Sequence, residues 1–400
     1  MDGTTAPSTQ RRPIEGLTGL RFYAALIVAV SHFPQLIPID GAQLALERQG
    51  AAGVTIFFVL SGFVLTYNYF ETFAAATRGA GTFLRARLAR IWPINVVALV
   101  VVTPLVIWWA TAPSALSWVV NLFMLQALLP MKAMNTWNIP AWSVSCELVF
   151  YCAFPFFVCW VLGRVRRARR LLALAGALFA VQVIGFCAVA LLADRQLSQS
   201  GKSAEDITLM LERLKFFPGL RMWEFFIGCV VGLAFLRART GEDGWWRVLA
   251  RRGTRNAMLA VVALGALGLL VLPSAADLPE RGLLAHLTTA GLYVVYTPLA
   301  VLLVTAVGWG QSAASPLLEA RWALRLGEAS YSFYMFQWSM VLIVAELADG
   351  TPGWWLSFAA VVTLAVVSLA SARWIETPAR NLLRGRRPAR AAVPVPSPAG

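Results

Sequence analysis

The sequence predicts an all-α integral membrane protein, a single bundle of about ten transmembrane helices with both termini on the cytoplasmic side. Three observations predict it. Of 400 residues, 58% are hydrophobic and only 14% charged, against about 25% charged in a soluble globular domain. Eleven apolar runs recur between residues 20 and 374 with no long polar block between them, which excludes a soluble enzyme carried on one anchor. The Arg residues cluster in short blocks between those runs, the topogenic pattern of a membrane protein. The formal net charge of +14 therefore reads as membrane orientation and not as nucleic-acid binding.

The runs fall near residues 20–38, 53–72, 91–112, 114–130, 140–162, 171–193, 218–236, 255–273, 286–309, 322–347 and 354–374. Each is apolar enough for a span except 114–130, which carries Asn121 and Gln126 and is bounded by Pro113 and Pro130. If all eleven crossed, the Arg blocks would alternate sides. Reading 114–130 as an interfacial or re-entrant piece leaves ten crossings, with 25 of the 34 Lys and Arg inside. Seven then lie outside: Arg48, Lys132, Arg195, Lys202, Arg213, Lys215 and Arg281. That split is what correct orientation gives. Residues 1–16 and 379–400 are polar or basic and Pro/Ala-rich, and are expected to be disordered ends around a membrane domain at 17–378. No cleavable signal precedes the first run, so that run is expected to remain in the mature chain. The five cysteines all lie in apolar runs without metal-ligand spacing. They are expected to be free, buried thiols, and no metal site is expected.

The first run, LRFYAALIVAVSHFPQLIP, holds two costly residues, Arg21 and His32. Eleven residues at about 100° each make three turns plus about 20°, so both project from one helix face, roughly 16 Å apart along it. Ionisable side chains inside a span are a functional-site hypothesis by default. Alone, Arg21 also reads as a snorkelling anchor. His32 suits general-base work near neutral pH, with a hydrogen-bonded interior imidazole as the plain alternative.

The second run reads GVTIFFVLSGFVLTYNY. Gly53 and Gly62 allow close helix approach. Ser61 beside them lacks a Gly-x-Ser-x-Gly frame, which favours packing over nucleophilic work. FLRARLARIWP follows, where Arg85, Arg87 and Arg90 wrap the expected start of a helix ahead of Pro93. The alternatives there are a phosphate clamp and an ordinary positive-inside loop.

In NTWNIPAWSVSCELVFY, Glu147 lies about two turns, roughly 10 Å, inside a helix starting near Pro140. It needs a partner, either His32 at similar depth or Arg221. RMWEFFIGC sets Arg221 and Glu224 at i, i+3, a spacing that lets them satisfy each other. GEASYSFYMFQW carries Tyr331, Tyr334 and Gln337 at threes behind Glu328, one polar stripe along a helix. With Ser61, Arg221 and Glu224, these are the candidates for a substrate path. WIETPARN closes the last run, with Glu376 read as part of a surface ion cluster.

Taken together these segments resemble the acyltransferase 3 family, the bacterial membrane O-acyltransferases of polysaccharides and related acceptors. GLTGLRFYAALIVAVSH, GVTIFFVLSGF, RARLARIWP, WSVSCELVFY, RMWEFFIGC, ASYSFYMFQW and ETPAR carry the resemblance almost end to end. It implies transfer of an acyl group, commonly acetyl, from cytoplasmic acyl-CoA to a hydroxyl of a sugar-containing acceptor, with no permanently bound cofactor. By matching position, His32 is implied as the catalytic histidine and Arg21 as its partner. Arg87 and Arg90 match the basic motif, which with Arg85 would hold the CoA phosphates, and Glu147 matches the acidic position. Gln337 departs from the family, where His is common. The chain also lacks the C-terminal hydrolase-like extension of some members, so transfer is expected to be completed by the bundle or by a partner protein. The rival readings are a transporter or flippase of lipid-linked sugars, which should show repeats or helices broken at midplane, and a structural scaffold, which leaves His32 and Glu147 unexplained. Exopolysaccharide, lipopolysaccharide, peptidoglycan, macrolide and glycolipid acceptors all remain open, and so does the oligomeric state.

Overall fold

In a computed structural model, the structure describes residues 13–33, 42–75, 79–109, 114–129, 137–199, 216–240, 248–249, 251–271, 283–348 and 352–384. Most of the two expected disordered ends, and Lys132, Lys202, Arg213, Lys215 and Arg281, lie outside them. Among these residues there is no strand, and ten helices have at least 18 residues, one at each expected span. They are α1 (Glu15–His32), α2 (Ala42–Ala74), α3 (Ala80–Trp109), α4 (Ala141–Trp160), α5 (Ala168–Gln199), α6 (Pro218–Thr240), α7 (Arg252–Val271), α8 (Leu283–Gly308), α9 (Ser330–Leu347) and α10 (Trp354–Ser371). Seven helical stretches pass as spans by length and apolarity, in α2 to α7 and in α10 with its extension. Of the other three long helices, α1 and α9 carry the polar residues of the site, and α8 has its apolar stretch at Val294–Gly308. The chain is an all-α, multi-pass membrane protein.

The segment 114–130 does not cross. It forms the helix Ala115–Leu122 and a 3₁₀ turn Gln126–Leu128, and eight residues rise only about 12 Å. Ser114 caps the helix by accepting from Ser117 N–H. The two polar side chains that weakened this run are spent on packing: Gln126 Nε2 donates to Ala141 O at 2.7 Å, and Asn121 Nδ2 donates to Ser117 O at 2.8 Å, while the Asn121 backbone carbonyl accepts from Asn95 Nδ2 at 3.0 Å. The short segment is thereby tied to the start of α4 and the middle of α3.

Four expectations are corrected. The Arg block sits within α3, which starts at Ala80, so Pro93 lies inside the helix instead of at its start. Proline is tolerated in membrane helices where neighbours satisfy the freed carbonyl. The run 322–347 is broken: Arg321–Glu328 is a separate short helix, and α9 begins only at Ser330. The last run continues from α10 through a π-helical turn, Ala372–Glu376, into the helix Thr377–Arg384. Only Cys146 and Cys229 are buried, whereas Cys152 and Cys159 are exposed. In a bilayer, an outward apolar face meets lipid rather than water, so apolar sequence does not imply burial inside the protein.

The core is built on α2 and α6. About 78% of the α6 span is buried inside the protein, against 11% for α7, which lies at the periphery. Their close approach requires glycine. A Cβ on Gly62 would stand 2.0 Å from Phe225 O, and one on Gly228 would stand 2.1 Å from Val59 O. Small residues supply membrane-helix contacts because lipid is as apolar as the side chains. Gly228→Leu is therefore expected to force the helices apart and destabilise by at least the 1–3 kcal/mol typical of overpacking, read as a lowered thermal midpoint in detergent. Phe58, Phe150 and Phe225 fill the adjoining space, with ring centroids 5.0 and 5.2 Å apart.

Candidate active site

The packing of α1, α2, α3, α4 and α9 leaves a cavity of about 40 Å³. Its polar lining is Arg21 from α1, Arg90 from α3, Ser143, Glu147 and Tyr151 from α4, and Ser330, Tyr331 and Tyr334 from α9. Phe57 and Phe58 of α2 form its apolar wall. The volume suits two or three waters, so an acyl donor enters only by displacing side chains.

The local sequence explains the convergence. Ser143, Glu147 and Tyr151 recur at intervals of four on α4, and Tyr331 and Tyr334 at three on α9, so each set shares a helix face. The Tyr151 hydroxyl donates to Glu147 Oε2 at 2.7 Å. Tyr331 donates to Ile91 O at 2.8 Å, next to Arg90. Ser143 donates to the Tyr334 oxygen at 2.9 Å, and Tyr334 donates to Pro140 O at 3.1 Å. The tyrosines are thus oriented by fixed partners. Arg21 keeps a buried Nε with no hydrogen-bond partner among the described residues.

Glu147 meets neither of the two partners expected for it. Arg21 and Arg90 line its cavity, with Arg87 also within electrostatic reach, and His32 is not among the lining residues. A carboxylate in a low-dielectric interior is stable where cations are supplied, and here α1 and α3 supply two. Arg221 is committed elsewhere. Its Nη2 lies 3.1 Å from Glu224 Oε2 and 3.1 Å from Thr55 Oγ1, with both charged side chains fully buried. Gln182 Nε2 bridges Glu224 Oε1 and Thr297 Oγ1 at 3.1 and 3.0 Å. This network ties α2, α5, α6 and α8 together, and neither Arg221 nor Glu224 lines the cavity; the two satisfy each other, as their i, i+3 spacing allows. The guanidinium also lies 5.5 Å from the ring centre of Phe58, the cavity wall.

His32 is the last residue of α1, not a mid-helix residue. Its ring packs edge-on to Trp338 at 6.0 Å between centroids, and Gln337 lies beside it. The α9 stripe is therefore divided, with Tyr331 and Tyr334 at the cavity and Gln337 at the histidine. Ser61 is half-buried and absent from the cavity lining, while its neighbour Gly62 makes the helix contact. The three expected phosphate ligands also separate. Arg85 is exposed, Arg87 is buried with Nη2 donating to Tyr69 OH at 2.8 Å, and Arg90 lines the cavity. Spacings of two and three put Arg85 about 160° from Arg87 but Arg87 only about 60° from Arg90, so Arg85 stands off the face that the other two share and the three do not form one clamp.

Four residues of the site, Ser143, Tyr151, Ser330 and Glu376, were not singled out from sequence. Ser143 and Tyr151 stand four before and four after Glu147, and that period was a sufficient signal. Glu376 was misread as surface. It is 4% exposed, accepts from Ser332 Oγ at 3.3 Å, and lies within electrostatic reach of Arg90, Arg380 and Arg21. The π-helical turn rotates it inward, and nothing in the residue order announces that turn.

Comparison with known proteins places this architecture. The family described as "Acyltransferase domain" matches residues 14–373. The acyltransferase MdmB of Streptomyces mycarofaciens is 29% identical over 407 residues, covering 96% of this chain and 95% of that protein. Protein 2 in the picA locus of Rhizobium radiobacter is 40% identical over 83 residues, 21% of this chain and 40% of that one. No solved structure matches the chain.

Proposed function

We propose, from the premise that this chain belongs to the acyltransferase 3 family and is a multi-pass membrane acyltransferase, that it moves an acyl group, in the first place acetyl, from acyl-CoA to a hydroxyl of a sugar-containing acceptor. The observation that carries this reading is the convergence of Arg21, Arg90 and Glu147 on one cavity at the centre of five helices. Guanidiniums recognise phosphate and carbonyl oxygens by directed N–H donation, and Arg21 and Arg90, in the cytoplasmic halves of α1 and α3, meet a donor arriving from the cytoplasm. Arg90 and Arg21 receive the donor, and Glu147 with Tyr151 holds their charge and geometry. His32, roughly 16 Å along α1 from Arg21, faces the acceptor. Its Nδ1 takes the hydroxyl proton as the oxygen attacks the thioester carbonyl. The C–S bond breaks, and the CoA sulfur leaves with that proton. The enzyme sits in the cytoplasmic membrane with both termini inside.

The test uses purified protein in proteoliposomes supplied with acetyl-CoA and a total glycan and lipid extract. Release of free CoA thiol together with labelled acetyl in the extract is expected. Movement of lipid-linked sugar without thioester consumption would establish the transporter reading instead. Arg90→Ala is expected to raise KM for acetyl-CoA about tenfold, whereas Arg85→Ala, on the exposed face of α3, leaves it within twofold. A larger effect from Arg85 than from Arg90 would contradict the donor assignment. Mass spectrometry of surface glycans with and without the gene identifies the acceptor by its lost acyl mass.

A further inference from the structure

Gln337 presents an anomaly that packing does not explain. It is 0% exposed, and among the described residues neither its Nε2 nor its Oε1 makes a well-aligned hydrogen bond, the amide being set against the His32 imidazole. His32 Nδ1, on the adjoining helix, is likewise buried without a well-aligned hydrogen bond, although the two side chains are neighbours. An unmade buried hydrogen bond costs about 1–3 kcal/mol per group, and buried polar groups are satisfied in the great majority of native structures. A residue that served only to fill space here would be Leu or Met. Trp338, Met340 and Val341 around it are apolar, and the one other buried polar side chain in this stretch, Ser339, is small.

We infer that the Gln337 amide and the His32 imidazole form one substrate-binding pair, in which Gln337 Nε2–H donates to the thioester carbonyl oxygen while His32 Nδ1 accepts the proton of the attacking hydroxyl. This rests on the reading of the site as acyl-transferring. The step balances within the two substrates. The acceptor oxygen bonds to the acyl carbon, and its proton passes to Nδ1. The carbonyl oxygen carries the charge of the tetrahedral intermediate against Nε2–H. When the C–S bond breaks, the charge returns to the carbonyl and the sulfur takes the proton from the imidazolium. A neutral donor fits this place: it strengthens as the oxygen becomes anionic and does not compete with His32 for the proton. Tyr334 and Tyr331 stand about one and two turns earlier on α9, at the Arg21 cavity. The α9 stripe therefore runs from the donor site to the reacting carbonyl, parallel to the Arg21–His32 line on α1.

A single preorganised oxyanion donor is worth about 10²–10³ in kcat. Gln337→Leu and Gln337→Glu are assayed in purified form by CoA-thiol release from acetyl-CoA with the same extract, alongside thermal midpoints. Leucine matches the volume, and the glutamate keeps the shape but, when ionised, cannot donate. The expected result for both is a fall in kcat of about 10²–10³ with KM for acetyl-CoA changed less than threefold, the signature of a contact made only in the transition state. Gln337→Asn and Gln337→His, which keep an N–H donor, are expected to recover at least tenfold over the leucine variant. An unchanged kcat, a change confined to KM, or a rate loss explained by a lowered thermal midpoint in all four variants would each overturn the assignment. If His32→Ala is inactive while Gln337→Leu is not, only this inference fails. If His32→Ala is itself active, the underlying site reading fails.

Discussion

Substitution of alanine for His32 is expected to lower the acyl-transfer rate by about 10²–10⁴-fold, the range general acid–base catalysis contributes, with little effect on the fold. The two halves of that expectation come from different observations. The ring ends α1, and its aromatic contact is a single edge-on approach to Trp338, worth about 0.5–1.5 kcal/mol. Its Nδ1 makes no well-aligned hydrogen bond among the described residues, with Gln337 as its polar neighbour, so the atom can turn to substrate. The measurement is acetyl transfer by purified protein at matched concentration, with the thermal midpoint recorded in the same detergent. Transfer at the parent rate would remove His32 from the chemistry. An inactive protein whose midpoint had collapsed would assign the residue to structure.

Arg221→Met is expected to have the opposite profile, a loss of folded protein before any question of catalysis. The Arg221–Glu224 pair is fully buried, and its hydrogen bonds reach Thr55 and, through Gln182, Thr297. Removing one partner of such a pair leaves an uncompensated charge in a low-dielectric interior, at about 3–5 kcal/mol. The double variant Arg221→Met with Glu224→Gln removes both charges and is expected to recover at least half of the lost thermal midpoint, since the cost lies in the orphaned carboxylate more than in the absent attraction. Detergent-solubilised yield and unfolding midpoints of the two variants decide it. A double variant no better than the single would show instead that the guanidinium's packing over Phe58 dominates.

The membrane class, the ten helix positions and the non-spanning 114–130 segment were legible because each rests on local composition. Long apolar runs must form helices in lipid, where every backbone polar group needs an internal partner, and a run interrupted by Asn121, Gln126 and two prolines is poor material for a span. The Arg221–Glu224 pairing was also legible, because i, i+3 on one helix is a local spacing. Helix limits were less so. The start of α3 at Ala80 and the break between Glu328 and Ser330 depend on neighbours that tolerate an internal proline or receive a chain turn.

The sequence by itself determined which side chains were expensive: Arg21, His32, Glu147, Arg221, Glu224 and the polar positions of α9 stand out because charge and hydrogen-bonding groups are costly in an apolar run. It also set which of them share a helix face, since that follows from 100° per residue. Only the tertiary structure decided which of these faces meet. Glu147 goes to Arg21 and Arg90, Gln337 goes to His32, and a π-helical turn brings Glu376 inside. Such pairings depend on how five helices rotate and slide against one another, and residue order along one helix carries no record of its neighbour's rotation.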